Sequence, residues 1–111
     1  MKVAEANTNL PTHAYQVLAD SIGVGKPNAT LMSDIMSITG IDDRRQLYYM
    51  IEILINNYGY VILASRRGQH KGYYYPSNDH EFNDGIRPLQ STVDSINKRK
   101  RNLVKNYKNM R

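Results

Sequence analysis

The 111-residue chain is 41% hydrophobic and 23% charged, with a formal net charge of +5. That fits one domain with a core and excludes a disordered polymer. It contains no cysteine, so disulfides and thiolate metal sites are excluded, and a reducing compartment is expected. No apolar run approaches the ~20 residues of a membrane span. Met1 to Asn7 does not read as a signal peptide, so a soluble, cytoplasmic protein with no membrane partner is expected.

Residues 1–10 read as a flexible leader. The first helix is expected from about Thr12 to Ile22, with Thr12 as N-cap and Gly23 as the residue beyond its end. Tyr15, Val17, Leu18, Ala19 and Ile22 form its apolar stripe. Val24 to Asn28 holds a glycine and a proline and reads as a loop.

A short second helix is expected from Thr30, its cap, to Thr39, with Leu31, Ile35, Met36 and Ile38 facing inward. Gly40 ends it, Ile41 reads as a buried turn residue, and Asp42 as the cap of a third helix reaching Tyr58. There Leu47, Met50, Ile51, Leu54 and Tyr58 follow the i, i+3, i+4, i+7 pattern, widened by Ile53 and Ile55. Tyr60 to Ser65 and Tyr73 to Tyr75 then read as two strands of a hairpin, with a polar tip from Arg66 to Gly72.

The last segment, about Asp79 to Lys108, is helical, with Gly85 and Pro88 predicting a kink or a late start near 85–88. Ile86, Leu89, Val93, Ile96, Lys100, Leu103 and Tyr107 step by three and four, a heptad seam with one polar member. The positive charge is concentrated here. Residues 98–111 hold seven basic side chains and no acid, whereas residues 1–97 hold eight basic and ten acidic. Such a block faces a polyanion or is a solvated helix face.

The order is helix, helix, turn, helix, hairpin. The expected fold class is mainly α with a small β-hairpin: a winged helix-turn-helix domain at 11–77 plus a long basic C-terminal helix at 78–111. A short helix, a glycine turn and a second helix present the start of the latter to a DNA major groove. Arg44, Arg45 and Gln46 place donors there, Arg suited to guanine and Gln to adenine. At 100° per residue, Arg45, Tyr49, Glu52 and Asn56 lie opposite Leu47, with Arg44 and Tyr48 flanking the stripe. Arg45, Tyr49 and Asn56 suit a nucleic-acid face, with Tyr49 an expected DNA contact, whereas Glu52 is a poor neighbour for phosphate. Arg66, Arg67, His70 and Lys71 make the hairpin tip a second candidate for DNA contact, along a backbone or in a narrow minor groove. The alternative is a tip whose charge only blocks edge pairing.

The stretch from Lys26 to Tyr75 resembles winged-helix domains of small phage and mobile-element proteins of Firmicutes. It does so through Gly25-Lys26-Pro27-Asn28-Ala29 before the helix-turn-helix, then Ser65-Arg66-Arg67-Gly68 and Gly72-Tyr73-Tyr74-Tyr75 in the hairpin. The resemblance implies DNA binding in replication, excision or transcriptional control, in a bacterial or phage-infected cell. It implies contacts at Arg44, Arg45, Arg66, Arg67 and Lys71.

Tyr15, Tyr58, Tyr73 and Tyr75 are expected as half-buried packing residues with hydroxyls in water. His13, His70 and His80 are scattered, and His80 shares no helix face with Asp79 or Glu81. No cofactor or metal is expected. No phosphate-binding loop, nucleophile elbow or paired histidine appears, so the chain is not expected to be an enzyme. Double-stranded DNA is the expected partner, with Lys98, Arg99 and Arg101 adding phosphate contacts. The final helix is expected to pair with a second copy or to fold back on its own domain. The rival reading is a protein-interaction module, a replication adaptor or host-protein inhibitor; a third is RNA binding through the basic tail.

Overall fold

The computed structural model describes residues 12–66 and 68–110; the expected leader at 1–10 lies outside them, as do Pro11, Arg67 and Arg111. In chain order it contains α1 (His13–Ser21), β1 (Gly23–Val24), a 3₁₀ turn (Lys26–Asn28), α2 (Met32–Thr39), α3 (Arg44–Tyr58), β2 (Leu63–Ser65), β3 (Gly72–Tyr75) and α4 (Asp79–Asn109). The fold is mainly helical, with a small sheet and a long C-terminal helix.

The sheet has three strands in the order β1-β3-β2, not the two of a hairpin alone. β2 and β3 pair antiparallel, with Leu63 opposite Tyr74. β1 pairs parallel with β3, with Gly23 opposite Tyr74, at a segment expected to hold only a helix end and a loop. Thr30 does not cap α2. Its hydroxyl donates to the Ser21 carbonyl at 3.0 Å and accepts from the Gly23 amide at 3.1 Å, tying the end of α1 to β1. Thr30 also exchanges two backbone hydrogen bonds with Tyr73. Gly72 is required at this crossing: its φ is +124°, and a Cβ there would collide with the Thr30 backbone.

α2 therefore starts later than expected, at Met32, and its buried set changes. Met32 and Ile35 are buried, whereas Leu31 and Ile38, expected inside, are exposed. The start of α3 also moves by one residue. Asp43, not Asp42, is the cap, its carboxylate accepting from the amides of Arg45 and Gln46 at 3.0 and 3.4 Å. The expected stripe of α3 holds at Leu47, Met50, Ile51 and Leu54, all buried, while Ile55 is exposed. These side chains join Leu18, Ala19 and Ile22 from the α1 region, Met32 and Ile35 of α2, and Tyr60, Ile62 and Tyr75 in the main core. Burying each such leucine or isoleucine contributes ~1.5–3 kcal/mol.

The sheet separates this core from α4. Tyr73 and Tyr75 face the helical core. Tyr74 points the other way, is fully buried, and donates its hydroxyl to the Glu81 carbonyl of α4 at 3.0 Å. Tyr75 is also buried rather than half-buried, and its hydroxyl donates to the Ala19 carbonyl at 2.5 Å. Neither hydroxyl is in water, contrary to the expectation for Tyr75. Burial, then the neighbouring Tyr60 and Asp20, pushes the Tyr75 phenol far above its ordinary value.

α4 neither starts late nor breaks at 85–88. Asn78 caps it by accepting from the Glu81 amide at 2.9 Å, and Glu81 accepts from the amide and hydroxyl of Ser77 at 2.9 and 2.8 Å. Gly85 is a packing residue: a Cβ there would meet Leu63 side-chain carbons at 2.7–2.9 Å. It lets α4 approach β2 closely. Pro88 withholds one amide from the ladder without ending it. Gly85 is the only buried residue among those described in α4. The helix then projects from the domain, giving extents of 56 × 29 × 26 Å.

Candidate functional site

The start of α3 is held in place from behind. Leu47, with no exposed surface, fixes the helix against the core, and the Asp43 cap fixes its first turn. Arg44, Arg45 and Gln46 are all exposed. The cap occupies the amides of Arg45 and Gln46, so the donors offered to a ligand in this turn are chiefly the side chains, with the Arg44 amide beside them. Further along α3, Tyr49 is 60% exposed, and Glu52 and Asn56 are also exposed, in line with the expected outward face.

Tyr48 and Tyr49 are both exposed, about 100° apart around α3. The Tyr15 phenol of α1 is raised by burial, then by Tyr49 and Tyr58. The Tyr73 phenol of β3 is raised by burial and by Tyr48, and lowered by Arg66. Tyr48 of α3 and Arg66 at the hairpin therefore act on one side chain. Tyr73 also packs against the core to which α3 contributes Leu47, Met50, Ile51 and Leu54, while Tyr48, not among the expected DNA contacts, is exposed on α3. The sequence does carry a signal for it, since Tyr48 flanks the core stripe beside Arg44.

Arg66, His70 and Lys71 are exposed on the β2–β3 connection, while Arg67 lies outside the described residues. The basic run sits elsewhere. Lys98, Arg99 and Arg101 are exposed on α4, and Lys98 is about 20 Å along the helix from Gly85 at 1.5 Å per residue. The structure thus gives exposed basic side chains at the start of α3, on the β2–β3 connection and on the projecting helix.

The ion pairs among the described residues converge on Asp84, which meets Lys26 at 3.6 Å, His80 at 3.5 Å and Arg87 at 3.4 Å. His80 thus finds its carboxylate one turn on, not next door in sequence. Lys26, in the segment that carried the resemblance, braces the 3₁₀ turn against α4. The described basic side chains of α3, the hairpin and residues 98–108 take no part in those ion pairs.

Among the described residues no cluster of three His, Asp or Glu side chains could hold a metal ion. No described helix is long and apolar enough to cross a membrane. No protein-family model, curated protein or solved structure matches the chain.

Proposed function

We propose that this chain is a winged helix-turn-helix protein that binds double-stranded DNA, of the kind found in phages and mobile elements. In this reading α3 enters a major groove by its first turn, and the β2–β3 connection follows the adjacent backbone as the wing. The observation that carries the proposal is the exposure of Arg44 and Arg45 on the capped first turn of α3, with Arg66 and Lys71 exposed on the β2–β3 connection, whose strand residue Tyr73 packs against the core that α3 helps to build. A braced helix with exposed guanidinium groups can read base edges while a basic hairpin neutralises phosphates.

Arg45 is assigned to base edges, with Arg44 and Gln46 beside it. Arg66, Arg67, His70 and Lys71 are assigned to phosphate or minor groove. Lys98, Arg99 and Arg101 add sequence-independent attraction. The process served is replication, excision or transcriptional control. Arg45→Ala should cost ~1–3 kcal/mol of discrimination between a selected site and random duplex, and little affinity for the random duplex. Equal loss on both would remove Arg45 from base reading.

Exposed Leu31 and Ile38 at α2, with Glu52 on the outer face of α3, favour a second reading as a protein-interaction module. A selection that yields no preferred duplex, together with loss of partner capture on Leu31→Ser, would favour it.

A further inference from the structure

We infer that two copies of this chain pair through α4 in antiparallel orientation, in a register centred between Asp94 and Ser95. The pairing rests on the fold and on α4 alone, and it stands or falls without reference to DNA.

The first observation is an uncovered apolar face. Leu89 is 60% exposed, Ile96 55% and Leu103 61%, all on a helix with no buried residue after Gly85 among those described. Residues 89–109 form a helix of under six turns on which no other described element packs. Helices in proteins gain most of their stability from a packed face, and this part of α4 has none within the described residues. The seam has the three-four spacing of a two-stranded coiled coil, so the occupant that fits it is another helix of the same pitch.

Charge selects the second copy and its direction. From Lys98 onward α4 is only basic, whereas its first half carries Asp79, Glu81, Asp84 and Asp94 against Arg87 alone. Parallel pairing sets two basic halves side by side and places Lys100 against Lys100 in the core. Antiparallel pairing separates the two basic halves and lays each along the half that carries the acids; apart from Arg99, which flanks the seam, these charges lie on the outer surface and act through the field of the whole helix rather than as paired side chains.

The register follows from the seam itself. Facing layers in an antiparallel pair match Phe82 with Tyr107, Ile86 with Leu103, Leu89 with Lys100, and Val93 with Ile96. Every layer closes with an apolar side chain on at least one side. Lys100 meets Leu89, where its four-carbon stem covers the leucine and its ammonium reaches solvent. The pattern is its own complement, as a two-fold interface requires. Lys98, Arg101, Lys105 and Lys108 fall on the outer surface of such a pair and stay exposed.

The test uses the absence of cysteine. Ile86→Cys and Leu103→Cys are made singly in the full chain and oxidised in a glutathione buffer, separately and mixed. The expected result is a mixed Ile86→Cys–Leu103→Cys disulfide dimer that dominates over either self-linked product. In the proposed pair each residue lies about 25 Å from its own copy, too far for a disulfide. Self-linked Leu103→Cys as the main product would overturn the antiparallel arrangement. Sedimentation of the parent chain as a monomer throughout the micromolar range, with no cross-linking, would overturn pairing altogether. As a control independent of cysteine chemistry, Ile96→Asp should raise the dimer dissociation constant at least about 100-fold, since it sets a carboxylate in two adjacent core layers. An unchanged constant would also overturn the proposal.

Discussion

The domain from α1 to the base of α4 and the rest of α4 solve the same problem in opposite ways. In the domain, apolar residues from three helices and a sheet meet one another, and Leu18, Ile35, Leu47 and Leu54 lose all exposed surface. On α4 beyond Gly85 the apolar residues are as regularly spaced, but none of those described is buried. Periodicity shows which face of a helix is apolar; it does not show whether the partner is in the same molecule. The charges of α4 divide along its length, with the acidic side chains before residue 95 and a purely basic run from Lys98.

Leucine truncations should separate the two regions most strongly. Leu54→Ala should lower domain stability by ~2–5 kcal/mol in urea unfolding, through reduced burial and a cavity. Leu103→Ala should leave hydrogen-exchange protection in α1 to α3 within about 0.5 kcal/mol, because it lies on the projecting half of α4, away from the core. Equal effects would mean that α4 folds back on the core.

Tyr75→Phe comes next, removing a buried hydrogen bond to the Ala19 carbonyl at a cost of ~1 kcal/mol. The same hydroxyl sets an alkaline limit. Burial holds the phenol neutral in the folded chain, so its contribution is complete below the ordinary tyrosine value of 10.0 and is lost as pH rises beyond it. Tyr75→Phe should lessen the alkaline loss of stability, read by circular dichroism above pH 10; an unchanged profile would exclude this group. The smallest effect is expected at Glu81, whose carboxyl lies below its ordinary value chiefly because it accepts from the Ser77 amide. Its contribution is present above the ordinary carboxylate value and is lost as pH falls through the lowered one. Glu81→Gln should remove that acid step from the exchange of the Ser77 and Glu81 amides, and leave the projecting half of α4 unaffected.

Local patterns were legible where one face of one element decided the outcome. Leu47, Met50, Ile51 and Leu54 were readable because α3 is long enough for its period to show. The two-residue β1 was not, since it exists only through pairing with a strand some fifty residues later. Thr30 looked like a cap because its type suits one, yet the Ser21 carbonyl and Gly23 amide recruit it instead. Asp42 and Asp43 are equal candidates by composition, and only backbone geometry separates them. Gly85 read as a breaker because its use, a close approach to Leu63, depends on a neighbour distant in sequence. At the candidate site, the exposed positions of α3 were readable from its wheel. The way the hairpin lies against the core that α3 helps to build was not, because it depends on packing between elements distant in sequence.

DNA binding is tested most directly by a salt titration of the full chain on random-sequence duplex, beside a variant with Lys98, Arg99 and Arg101 changed to Gln. Both are expected to bind at low salt, with affinity falling linearly on log–log axes. The slope in the variant should be shallower by up to about 0.9 for each phosphate that it no longer neutralises. No binding by the full chain at low salt would contradict the account, and an unchanged slope and affinity in the variant would withdraw α4 from the interface.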